Sequence, residues 1–183
     1  RLPRRGNTID QGKNSGHSRL DDGDVDTFWK SNPYLDSHFT GEPDSLNPQW
    51  IMVEFPQALP MDTVRFDWGT PYATRFKVQY WTGRDARFPV DKGNWRDFPQ
   101  AEQQGTGGSQ TVRIASTPIN AQYVRILFTA DSNTAPAGSR DIRDRLGVAV
   151  REIYIGQQQA GAFLDHVRHR DSQRQTVMWT SST

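Results

Sequence analysis

Between Leu20 and Thr27 the chain reads Leu-Asp-Asp-Gly-Asp-Val-Asp-Thr, with four carboxylates and a hydroxyl in one short run. Hard oxygen ligands at close spacing, with a glycine for the turn, are what a calcium ion takes. The EF-hand version of that chemistry fails: counted from Asp22, the sixth position is Thr27 rather than Gly and the twelfth is Pro33 rather than Glu. The run reads equally as an acidic turn capped by its own side chains, and on its own it leaves both readings open. Other chemistry is scarcer. Cysteine is absent, which removes disulfides, thiolate nucleophiles and thiolate zinc sites together. No serine carries a nucleophile signature. A glycosidase needs two carboxylates facing each other across a cleft. Glu42, Asp44 and Asp131 are available, but nothing in the sequence specifies such a pairing, so the chain is read as a non-enzyme. His166 and His169 stand three apart with no carboxylate at metal spacing, and are read as solvated.

These groups have to be positioned by short strands. Trp50–Phe55, Thr63–Trp68, Phe76–Trp81, Asn94–Phe98, Thr111–Ile114, Tyr123–Phe128 and Val148–Ile155 alternate apolar and polar residues. Pro56–Pro60, Gly69–Pro71 and Gly105–Gly108 punctuate them. Short strands at even spacing with Gly/Pro turns predict an all-β sandwich or barrel, and no amphipathic helix of useful length intervenes. The 183 residues hold one domain plus flanks. Lys and Arg number 22 against 21 Asp and Glu, a balance that excludes a general phosphate-backbone binder and so a nucleic-acid partner. The 6 Trp, 5 Tyr and 9 Phe are more rings than a polar chain needs as core filler alone, which leaves some for contact surfaces. Residues 1–18 form an N-terminal flank that is poor in apolar side chains. Residues 157–183 read as a linker toward a further module, with a helical turn or two over 162–170. The opening Arg1-Leu2-Pro3-Arg4-Arg5 is read as belonging to a piece of a longer precursor.

Four motifs fall in order. They are Asp22-Gly23-Asp24-Val25-Asp26-Thr27-Phe28-Trp29-Lys30-Ser31, Pro48-Gln49-Trp50-Ile51-Met52-Val53-Glu54-Phe55, Tyr123-Val124-Arg125-Ile126 and Val150-Arg151-Glu152-Ile153-Tyr154-Ile155. Together they resemble the discoidin, or F5/8 type C, domain in its bacterial form, close to family 32 carbohydrate-binding modules; the animal domains usually close with a disulfide that this chain cannot make. The resemblance covers roughly 20–156, within a domain taken as 19–156. It implies an eight-stranded antiparallel jelly-roll β-sandwich of the galactose-binding-like kind. It also implies a structural Ca2+ tying the opening loop to the last strand, held by the Arg19 carbonyl, Asp22, the Asp24 carbonyl, Thr27, the Arg151 carbonyl and the Glu152 carboxylate. Glu152 fits that role, since a carboxylate buried in an apolar strand needs a partner. The implied function is non-catalytic carbohydrate binding, as an accessory domain of a larger secreted glycan-active protein. The alternative is a cell-surface protein- or membrane-adhesion module.

If the strands are antiparallel and connected end to end, four loops share one end: 32–49, 69–75, 100–109 and 131–147. Function sits preferentially on loops held by a rigid scaffold. These loops supply Tyr34, His38, Trp68, Tyr72 and Arg75 as candidate sugar contacts, with rings to stack on sugar C–H faces and polar groups to bond hydroxyls. Trp68 shares a face with Val64 and Phe66, which equally suits a core ring. Arg75 equally suits a surface ion pair with Asp67 or Glu54. The only aliphatics here are Leu35, Leu46, Ile142 and Leu146, which argues against membrane insertion.

Overall fold

The computed structural model describes residues 20–82, 94–168 and 176–181. The 1–18 flank, Arg19 and His169 lie outside the described residues. Ten strands are described: β1 (Trp29–Lys30), β2 (Gln49–Met61), β3 (Thr63–Trp68), β4 (Ala73–Trp81), β5 (Trp95–Gln104), β6 (Ser109–Arg113), β7 (Ile119–Asp131), β8 (Ala149–Gln159), β9 (Ala162–Asp165) and β10 (Val177–Thr180). One helical turn, α1 (Ser37–Thr40), and three 3-10 turns lie in the long loops. No described helix is long and apolar enough to cross a membrane.

The strands form two five-stranded antiparallel sheets. One runs β1-β8-β3-β6, with β9 hydrogen-bonded to the far end of β8; the other runs β10-β2-β7-β4-β5. The alternation read from sequence is the packing. Val64, Phe66, Trp68, Ile153 and Ile155 of the first sheet face Ile51, Val53, Phe55, Phe76, Val78, Val124, Ile126 and Phe128 of the second, all nearly or fully buried. Burying a side chain of this size contributes about 1.5–3 kcal/mol, so the double layer carries the fold. Trp29 joins the core, while Trp50 is half-exposed on the outer face.

Several local expectations change. Pro56–Pro60 does not end a strand; β2 continues to Met61 with its register broken between Glu54 and Leu59. Two prolines that cannot donate to a ladder require such an irregularity. The expected linker over 157–183 is partly sheet. β8 runs on to Gln159, turns through Ala160 and Gly161 (φ 50° and 78°) and returns as β9, while β10 adds to the edge of β2. Two consecutive positive-φ residues make the tight turn that suits strand twist, so 162–165 is a strand rather than a helical turn. His166, expected to be solvated, is 7% exposed, with Nε2 3.0 Å from the Pro60 carbonyl oxygen.

Candidate functional site

The four expected loops do meet at one end. Ser31 N–H donates to Val148 O (3.0 Å), Gly105 N–H to Thr74 O (3.0 Å), Trp68 N–H to Gly108 O (2.9 Å) and Ser132 N–H to Tyr72 O (2.8 Å). Lys30, fully buried, donates through Nζ to Arg143 O (3.1 Å), fixing the last loop to β1. Gly147 (φ 86°) packs so closely on Ser31 that a Cβ there would lie 2.7 Å from its hydroxyl. The scaffold beneath the loops is therefore tightly specified.

Asn32 and Asp36 cap the successive turns of the first loop through Tyr34 N–H (3.1 Å) and His38 N–H (2.9 Å). These caps set out a row of rings. Tyr34 lies 5.0 Å from Phe39, centroid to centroid, and His38 meets Phe39 edge-on at 4.9 Å. Phe39 is 43% exposed and His38 is exposed. The Tyr34 hydroxyl accepts from Arg143 Nη1 (3.1 Å), and Asp141 holds that guanidinium (Nε to Oδ1 3.0 Å). The pairing holds the Arg143 pKa above its usual value. Phe39 was not chosen from the sequence as a contact; its place beside two chosen residues, three positions after the capping Asp36, was the available signal.

Tyr72 belongs to a neighbouring group. Its ring half-covers the core and lies against Gly107, where a Cβ would come within 3.1 Å of it. Arg75 is exposed on β4, and among the described residues it pairs with neither Asp67, which is taken by Arg65 (3.3 Å), nor Glu54, which meets Tyr123. Trp68 departs from its candidate role. It is 4% exposed, stacked on Phe66 at 4.2 Å, with Nε1 donating to Gln110 (2.9 Å), so neither ring face is open to a ligand.

Below the ring row, Asp36, Asp44 and Asp131 converge, with carboxylate oxygens all within 4.8 Å of one another. They line a shallow, open depression together with Leu35, Asn47 and Gln49, over a floor that includes Phe128 and Val148. Burial, the hydrogen bond and charge of Asp36, and the charge of Asp44 push Asp131 up to about 8; burial raises Asp44 as well. No Lys or Arg forms an ion pair with this trio among the described residues. Such a pocket favours a cation or a hydrogen-bond donor.

The acidic opening loop lies elsewhere, along the outer face of the first sheet. Asp22 accepts from Asp24 N–H (3.0 Å) and from the Thr27 hydroxyl (2.6 Å), and the Asp24 carbonyl also faces Thr27 (3.1 Å). A break in register between Asp67 and Trp68 leaves Arg151 as an extra residue in β8. Glu152 points outward by its alternation with the core residues Ile153 and Ile155, and the bulge returns Val150 to the core, as bulges re-aim side chains. Glu152 is 1% exposed; Oε1 accepts from Gly23 N–H (2.8 Å), and Oε2 accepts from Arg168 Nη2. Burial and a hydrogen bond with Asp22 push Glu152 up to about 7, against the opposing pull of Arg168. Arg151 donates to Val25 O (2.6 Å), and Ile153 N–H to Leu20 O (3.0 Å), stitching the loop to β8. The oxygens of Asp22, Asp24, Thr27 and Glu152 are the hard donors that calcium takes, and a buried Glu–Asp contact is relieved by a cation.

An antiparallel sandwich with this connectivity defines a galactose-binding-like jelly roll. The family model for the F5/8 type C domain matches residues 6–142, and the chain belongs to that family. Its solved neighbours share the fold at low identity. A chitosan-binding module 2 in complex with chitotriose, from a chitosanase/glucanase of Paenibacillus sp. IK-5, is 18% identical (82% of this chain, 92% of that chain, TM-score 0.57). The F5/8 type C domain of a Bacteroides fragilis protein is 12% identical (78% and 81%, TM-score 0.51). A fucosidase of Ruminococcus gnavus in complex with fucose is 15% identical (79% of this chain, 22% of that chain, TM-score 0.50). No curated protein matches the chain.

Proposed function

We propose that this chain is a non-catalytic carbohydrate-binding module that takes its ligand at the loop end. The observation that carries the reading is the row Tyr34–Phe39–His38, with Phe39 and His38 exposed and Tyr34 half-buried, on the loop that also supplies Asp36 and Asp44 to the pocket they share with Asp131. Rings stack on sugar C–H faces and the carboxylates take hydroxyls or protonated amines. An amino sugar satisfies both, and the Paenibacillus module named for chitosan gives a probe. The module serves as an accessory domain of a larger secreted, glycan-active protein; the small share of the fucosidase chain that it spans is consistent with that role. A structural calcium ties the opening loop to β8 through Asp22, the Asp24 carbonyl, Thr27, the Arg151 carbonyl and Glu152, with Arg19 as the remaining carbonyl.

The test is affinity for chitotriose and for neutral oligosaccharides, measured on the whole chain and on Tyr34→Ala and Tyr72→Ala. A stacked ring contributes about 1 kcal/mol, so each variant should weaken binding about fivefold with melting within a few degrees. Full binding retained in both variants overturns the placement. A second reading, a surface-adhesion module, is favoured by one observation: Leu35, Leu46 and Ile142 are exposed on the same loops, Leu46 by 67%. Co-sedimentation with anionic vesicles, lost on Leu46→Ser, would favour it over sugar binding.

A further inference from the structure

The hairpin β8–β9 returns the chain alongside β8 in the first sheet and delivers Arg168 to Glu152. The guanidinium is held from four sides. Nη2 donates to Glu152 Oε2, and Nη1 donates to the Ile153 carbonyl (2.9 Å) and pairs with Asp165 (3.1 Å). Its centre lies 3.9 Å from the Tyr154 ring centroid. Tyr154 is itself fixed, its hydroxyl donating to Asp67 (3.2 Å) with Arg65 on its ring at 5.0 Å. This is a built seat for a cation on a carboxylate that is 1% exposed. The other oxygen of that carboxylate is held by the Gly23 N–H of the acidic loop. A buried carboxylate needs a compensating charge, and here the chain supplies one from its C-terminal segment.

Resting on the calcium reading above, we propose that Arg168 is a built-in counter-ion which competes with calcium for Glu152, coupling metal binding to the docking of the β9 segment. Two cations on one carboxylate repel each other, and repulsion is strong where water is excluded. Whatever the metal gains at Glu152 is offset by loosening the guanidinium. By linkage the effect is reciprocal. Removing the Arg168 charge tightens calcium, and adding calcium loosens the segment that carries Arg168. His166 N–H, bonded to Ile155 O (2.9 Å), and Val167 N–H, bonded to Asp165 Oδ1 (3.0 Å), report that loosening.

The test is calcium titration by calorimetry on the whole chain and on Arg168→Gln, which keeps donors but removes the charge. A parallel amide-exchange measurement with and without calcium on the unmodified chain does not depend on the variant folding. The expected result is tenfold or tighter calcium binding by Arg168→Gln, together with faster exchange at His166 and Val167 when calcium is added. Equal or weaker binding by the variant, or slower exchange at those amides, overturns the competition and leaves the calcium reading standing. Calcium binding by neither protein overturns the calcium reading and the competition with it.

Discussion

Two carboxylate clusters stand on one sandwich, and they are built on opposite principles. At the β8 junction, Asp22 and Glu152 meet under a loop stitched to the strand by backbone bonds, and Arg168 already neutralises the buried member. At the loop end, Asp36, Asp44 and Asp131 meet in an open depression. There each accepts backbone N–H bonds, Asp44 from Ser37 and Asp131 from Asn133 and Gly147, but none has an ion-pair partner among the described residues. Charge compensated from within holds a fold together. Carboxylate pKa values are raised at both places, Glu152 to about 7 and Asp131 to about 8; what differs is that the loop trio has no ion-pair partner among the described residues and so favours whatever cation or donor arrives.

The contrast gives graded expectations. Glu152→Ala should have the largest effect. Removing one partner of a buried pair leaves Arg168 partly unpaired, at a loss of about 2–3 kcal/mol in urea unfolding; no change would make the junction ornamental. Next, chelation with EDTA should lower the melting temperature of the unmodified chain and do little to Asp22→Ala, because a metal bound only by the folded state stabilises by mass action. An identical response of the two proteins would remove calcium from the junction. A third expectation, for Asp131→Asn, is a trend with pH rather than a fixed offset. Asp131 is raised to about 8 in the fold from an ordinary value of 3.8, so the folded state binds more protons than the unfolded one between those values. Stability from this group is therefore present at low pH and lost as pH rises through that window. The variant lacks the loss, and its melting temperature relative to the unmodified chain should climb from pH 4 to pH 8. A flat difference would mean that the trio does not share charge.

The strand pattern was legible because alternation is a local signal that burial enforces: Val64-Arg65-Phe66-Asp67-Trp68 can face a core in only one way. Strand direction followed from connectivity, and with it the shared loop end. Three features were not legible. The β9 hairpin depends on Ala160 adopting positive φ, which no turn rule assigns to alanine. The Asp36–Asp44–Asp131 pocket gathers residues from two loops far apart in sequence. Asp44 and Asp131 were visible in the sequence only as isolated acids, and no periodicity links them. Arg168 reaches Glu152 only because β9 exists, so reading that stretch as a linker hid the ion pair as well. Trp68 was ambiguous in sequence for a stated reason, its shared face with Phe66, and packing resolved it toward the core.

The central claim, that a carbohydrate binds at the loop end, is tested most directly by amide chemical-shift mapping of the chain during titration with chitotriose. The account predicts saturable shifts concentrated in residues 33–47, 69–75 and 131–147, with Gln57 and Asn120 at the opposite end unmoved. Shifts centred on that opposite end, or none at saturating ligand with chitotriose or with a neutral oligosaccharide, would contradict it.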